Sequence, residues 1–182
     1  MKKLITLFFV IFFVTVTQQA TFAKADNTLW NDYQDILNSA VTANTFTSTD
    51  GEFDHASVDY EKINNNPELQ EKIKNQLEKL KKVKAPEEKK HKLAFWINAY
   101  NFFTIVDVVN NYPISSMKKI GWKNKHHQIE DTLYNLDHIE HNIIRPLADP
   151  RIHFAINCAS VGCPSLASEI FDGNRIDTKL DE

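Results

Sequence analysis

Residues 93–109 read LAFWINAYNFFTIVDVV, a stretch in which almost every position is apolar or aromatic. A helix that is hydrophobic all round has no face to give to water and must be covered on every side. Pro86 suits the first helical position, the residues after it supply a charged first turn, and Tyr112-Pro113 stops the chain from continuing as helix. The spacing therefore predicts one central helix from Glu87 to Asn110, and the rest of the chain has to wrap it.

On its N-terminal side, Leu29 to Val41 places Leu29, Trp30, Tyr33, Ile36, Leu37 and Ala40 at intervals of three and four, an amphipathic helix. Thr42 to Gly51 is polar and closes on the turn pair Asp50-Gly51, so it reads as a loop. Val58-Asp59-Tyr60 reads as a short strand. Asn66 before Pro67 predicts a capped helix start, with Leu69, Ile73, Leu77 and Leu80 as the buried stripe of a helix running to about Val83.

Beyond Pro113 the elements shorten. Ile114 to Ile120 suits one or two helical turns. Gln128-Ile129 and Thr132-Leu133-Tyr134 flank Glu130-Asp131 as a small hairpin. Asn135 can cap a helix from Leu136 to Arg145 that ends at Pro146. Arg151 to Cys158 alternates as a strand, with Ile152, Phe154, Ile156 and Cys158 on one face and His153, Ala155 and Asn157 on the other. Pro164 then opens a short helix, and another starts near Asp177. The fold class expected is α+β: a long buried central helix packed by other helices against a small β-sheet.

The first 25 residues belong to a different category. Met1-Lys2-Lys3 is a positive start, Leu4 to Val16 is an apolar run broken only by Thr6 and Thr15, and Ala23-Lys24-Ala25 is a small-residue cleavage site. Together they describe a secretory signal peptide; the greasy run is shorter than the roughly 20 residues that a membrane span requires. Residues 1–25 are thus read as a leader, 26–50 as an N-terminal amphipathic helix with a polar loop, and 51–182 as a single globular domain. The expected location is secreted or periplasmic, with no stable membrane insertion after cleavage. Cleavage after Ala25 reduces the 21 basic residues to 18 against 24 acidic ones, a net charge of −6. With no dense basic block, nothing in the chain suggests a nucleic-acid partner. A small molecule or a peptide remains as the expected ligand, of unspecified identity, and no cofactor or metal is called for.

Several side chains could carry chemistry. Asn98 and Asn101 lie one turn apart inside the apolar helix, where an unpartnered amide costs about 1–3 kcal/mol. They either present polar groups to a site or tie a neighbouring loop to the core helix. Cys163, ahead of Pro164, would cap the next helix, and its thiol would be activated by the unpaired N–H groups there. His153 or His141 could serve it as base, with Glu140 or Asn157 as the orienting group. The competing readings are a Cys158–Cys163 disulfide, which an exported protein favours if the two Cα atoms come within about 7 Å, and two inert thiols; zinc is disfavoured because the spacing is not that of a zinc finger. His138 and His141 are three apart but form only a weak metal signal. Arg145 and Arg151 flank a turn and suit either an anion clamp or ion pairs with Glu140, Asp137 or Asp149.

Three stretches give the chain a likeness: FWINAYN at 95–101, LDHIEHNIIRP at 136–146 and DPRIHFAINCASVGCP at 149–164, with the weaker VDY at 58–60. They resemble the family catalogued as domain of unknown function 547, over about residues 51–182. The resemblance implies a site built from Asn98, Asn101, Glu140, His141, Arg151, His153, Cys158 and Cys163, and it attaches no established reaction to them. It also implies that further structure follows Leu180-Asp181-Glu182, so that the last layer is expected to be incomplete here. Two functional expectations follow: a binding or structural domain with the cysteines bridged, or a hydrolase or acyl-transfer enzyme with Cys163 as nucleophile.

Overall fold

The computed structural model describes residues 27–48, 51–120, 124–160 and 162–182. The leader reading of residues 1–25, together with Asp50 of the turn pair, lies outside them. The elements are α1 (Asn31–Ala40), β1 (Val41–Ser48), β2 (Gly51–Val58), α2 (Tyr60–Asn65), α3 (Pro67–Leu80), α4 (Lys89–Asn110), β3 (His127–Ile129), β4 (Thr132–Tyr134), α5 (Leu136–His138), α6 (Ile152–Ala155) and α7 (Ile176–Asp181). Among the described residues the structure is mostly helical (59%), with two separate two-stranded antiparallel sheets.

Helix α4 is the axis. Every residue from Leu93 to Val109 is buried, as a sequence with no polar face requires. It begins at Lys89, two residues later than the Pro86 signal suggests, because the Glu88 carboxylate accepts from the Lys90 and His91 N–H groups and so caps the helix there. Helix α2, the turns at Ile139–Ile144 and Gly173–Arg175, and α7 all lie against it. Trp30, just ahead of α1, meets Phe95 edge-on at 5.5 Å, and Tyr33 on α1 meets Phe102 at 5.4 Å. Helix α3 packs on α1 through Leu69, Ile73 and Leu80, and starts where expected: the Asn66 side chain accepts from the N–H groups of Glu68 and Leu69.

Four expectations are overturned. Residues 42–48, expected as loop, are strand: β1 pairs with β2 in a continuous register from Val41↔Val58 to Ser48↔Gly51. Val58 ends that strand, and Asp59 caps α2 by accepting from Lys62 N–H. Arg151 to Cys158 is not a strand. Asp149 accepts from Arg151 N–H, Pro150 presets a helical φ, and the chain turns into α6 with Ile152, Ala155 and Ile156 inward and His153 and Phe154 outward. Nor does a helix open at Pro164; the chain stays irregular until Gly173. The small hairpin holds, with β3 pairing β4 from His127↔Tyr134 to Ile129↔Thr132.

The helix expected from Leu136 to Arg145 is present in altered form. Asn135 caps it by accepting from His138 N–H at 2.7 Å. After α5 it widens into a π-helix over Ile139–Ile144, tightens to a 3₁₀ turn over Arg145–Leu147, and ends at Ala148 with φ of 56°. Pro146 supplies the reason: it has no N–H for an α-helical bond, and its ring would meet the carbonyl four residues back. The wider turn lets Arg145 N–H reach the Glu140 carbonyl instead.

Candidate functional site

The motif residues lie where α4 meets the loop from Asp149 to Phe171. Asn98 donates to the Phe171 carbonyl and accepts from Phe171 N–H, both at 2.8 Å. Asn101 does the same one turn on, donating to Ala155 O and accepting from Asn157 N–H at 2.8 Å. Each buried amide thus pairs with backbone groups of a segment that forms no sheet. Both asparagines are brackets tying that segment to the core helix. Asn157 continues the arrangement, donating to Pro164 O and accepting from Ala159 N–H, so the turn between the cysteines is held from within.

Cys158 and Cys163 are joined in a disulfide with a Cα–Cα distance of 6.1 Å. This corrects the picture of a reactive thiol: Cys163 caps no helix, and its sulfur is bonded to its neighbour. Among the described residues neither histidine proposed as its base hydrogen-bonds to a sulfur: His153 is exposed on α6, and His141 is exposed and 3.8 Å from Asp137. Glu140 is engaged elsewhere. One carboxylate oxygen accepts from the Arg145 guanidinium at 2.7 Å and the other from the Tyr100 hydroxyl at 3.2 Å. The π-turn explains the first bond, because it brings residues five apart above one another. Arg151 is an ion-pair hub, contacting Asp149, Asp177 and Asp181 at 2.7, 2.9 and 2.6 Å. The ion-pair reading of both arginines is the one realised, with Asp177 and Asp181 as partners the spacing did not suggest. Arg145, Asp149, Pro150, Ile152 and His153 border a shallow depression, beside which Phe154 is 77% exposed.

A second cluster was not anticipated. Asp107, near the C-terminal end of α4, is 4% exposed and faces two consecutive histidines that lead into β3. One Asp107 oxygen lies 2.8 Å from His126 Nε2 and the other 3.1 Å from His127 Nε2. His126 Nδ1 lies 2.6 Å from the Asn124 carbonyl. That oxygen can only accept, so Nδ1 carries a proton. Burial works against charge on His126, but its bonds to Asp107 and Asn124 outweigh it and hold the imidazole above its ordinary value. His127 lies on the other side of that balance: burial dominates and pulls it down in spite of the same carboxylate. Phe103 stacks flat on His127 at 4.2 Å and 13°. The signal in the sequence was Asp107 itself, a lone acid in an apolar helix, since buried acids are almost always partnered. The His126-His127 pair names the partners.

The family described as protein of unknown function DUF547 matches residues 84–182, more than half of the chain. The chain belongs to that family. The DUF547 match includes α4, both site clusters and the cystine. It leaves outside α1 to α3 and the first hairpin, although Trp30, Tyr33 and Leu80 share one core with α4. No curated protein and no solved structure matches this DUF547 chain.

Proposed function

We propose that the chain is an exported, cystine-braced domain that binds a small molecule or peptide or serves as a scaffold. The Cys158–Cys163 bridge carries this reading. A disulfide persists in oxidising surroundings and is rare in a reducing cytosol, and a bridged sulfur is no nucleophile. The two asparagine brackets add support, because they spend the most buried polar groups of the motif on holding the loop. The contact face on this reading is the rim that carries Arg145, His153 and Phe154, next in the chain to Ala155, which the Asn101 bracket holds. No helix of the described residues is long and apolar enough to cross a membrane.

The test is a thiol count on protein that is unreduced and denatured, after export directed by its own residues 1–25. The expected count is near zero, with the leader absent from the product. Two thiols per chain, with Cys163 alkylating well below the ordinary thiol pKa of about 8.5, would overturn the reading. The site would then pass to the alternative, a thiol-dependent hydrolase or acyl-transfer enzyme using Cys163 with His153 or His141.

A further inference from the structure

We propose that Asp107, His126 and His127 form a binding site for a divalent transition-metal ion of the zinc type, held by one carboxylate oxygen and two imidazole Nε2 atoms. The three donor atoms all lie within 4.8 Å of one another. Zinc bonds of about 2.0–2.1 Å in a tetrahedral arrangement put neighbouring ligand atoms roughly 3.3 Å apart. Asp107 lies 2.8 Å from His126 Nε2 through one oxygen and 3.1 Å from His127 Nε2 through the other, so whichever oxygen takes the ion, both imidazole nitrogens are within reach of it by small side-chain rotations.

The orientation of the rings is the second argument. A metal-bound histidine usually donates its other N–H to a carbonyl or carboxylate, which fixes the tautomer and aims the ligating nitrogen. His126 has this arrangement already: Nδ1–H donates to Asn124 O, and Nε2 points at Asp107. Phe103 fixes the plane of the His127 ring from below, and His126 N–H bonds to Tyr134 O, so the doublet is anchored to the β3–β4 hairpin. The ligands therefore come from two elements packed independently, a helix end and a strand start.

The donor set selects the ion. Two imidazoles and one carboxylate suit zinc and its neighbours, whereas calcium and magnesium require oxygen-rich sites. The side chains of Asp107 and His127 are 5% and 2% exposed and that of His126 is 41% exposed, so an ion reaches the site past His126 and keeps a fourth position facing solvent. Three protein ligands with one solvent position is the pattern of zinc sites that exchange a ligand. The inference goes beyond the binding-domain reading and is independent of it. A missing metal leaves the cystine in place, and free thiols leave the histidines in place.

The test uses the full chain with its cystine intact and no reductant, so that no thiol competes for metal. After treatment with a chelator, Zn²⁺ is titrated by calorimetry, and Co²⁺ is added as a probe whose visible absorption reports its ligand geometry. One ion per chain is expected, with no response to Ca²⁺. His126→Ala, at a half-exposed position that does not fill the core, should weaken zinc by more than the roughly 10–100-fold that loss of an orienting partner causes. It should also abolish the cobalt spectrum. Asp107→Asn should do likewise while its circular dichroism stays that of the parent. The double variant His138→Ala/His141→Ala should bind as the parent does. Absence of one-to-one zinc binding by the parent, undiminished affinity in His126→Ala, or loss of binding in the His138/His141 variant would each overturn the site.

Discussion

Asn101 joins the Ala155 carbonyl at the end of α6 and the Asn157 N–H beyond it to the middle of α4. Its worth lies mainly in what its loss leaves behind. Asn101→Ala strands a C=O at Ala155 and an N–H at Asn157, and a buried group left unpaired costs about 1–3 kcal/mol. Asn101→Ala should therefore lower the free energy of urea unfolding by about 2–4 kcal/mol, with an unchanged denaturant slope. A loss below about 0.5 kcal/mol, the range of ordinary surface changes, would show that water replaces the amide and that the bracket is dispensable. The side chains differ in how far their types forecast their roles. A buried Asn in a run such as FWINAYN has to have a partner, so the bracket was one of two readings the sequence supports, and the structure realises it. The cystine was likewise one of several readings open for the two cysteines. What sequence does not contain is distance. Asp107 is some twenty residues from His126, and only the fold of the segment between brings the carboxylate to the imidazoles.

Gly173 shows the same dependence on approach at the level of elements. The turn Gly173–Arg175 crosses the start of α4 so closely that a Cβ on residue 173 would lie 2.6 Å from the His91 Cα and 2.5 Å from its ring. One of those atoms is backbone, so the helix itself would have to shift. Gly173→Ala should destabilise the fold by about 1–3 kcal/mol, the cost of overpacking a filled site, seen as a lower midpoint of thermal unfolding. An unchanged midpoint would mean that the turn stands further from the helix. Helix α7, which follows that turn, is held by charge. Asp177 pairs with Lys90 at 2.7 Å and with Arg151 at 2.9 Å, and Arg151 reaches Asp149 and Asp181 as well. The Arg151 guanidinium holds Asp149 below its ordinary value of 3.8, and Lys90, then Arg151, do so for Asp177. Depressed carboxyls add stability that is complete above their unfolded pKa and is lost as pH falls through the folded one. Acid should thus loosen α7 progressively below about pH 4, and Arg151→Ala should flatten that dependence in amide exchange measured across α7. An exchange profile with the same acid slope in both proteins would remove Arg151 from the account. Elements were legible where pattern and capping agree, as in α3 with Asn66-Pro67. They were not where a short apolar run fits two periods: Ile152, Ala155 and Ile156 serve a helical turn as well as alternation serves a strand. The β1–β2 hairpin was hidden because its Thr- and Ser-rich strands carry no hydrophobic alternation, while Thr suits extended backbone on its own.

The whole molecule follows from one requirement, that α4 be covered on every side. That much was readable in residues 93–109, and the buried positions of α4 bear it out. What the sequence left open is which segments do the covering. Trp30 and Tyr33 pack on Phe95 and Phe102, and Ile36, Leu37, Ile63, Leu69, Ile73 and Leu80 belong to the same core. All eight precede residue 84, where the family match begins. A fully buried side chain of this size contributes about 1.5–3 kcal/mol, so together they are worth about 12–24 kcal/mol, the scale of the roughly 5–15 kcal/mol by which a domain is typically stable. Residues 84–182 alone should therefore fail to fold cooperatively, showing a broad thermal transition and strong binding of a hydrophobic dye. Residues 27–182 should give a sharp transition. A sharp transition from the shorter chain would mean that α4 finds other cover, and that α1 to α3 are an addition to the DUF547 core instead of its missing wall.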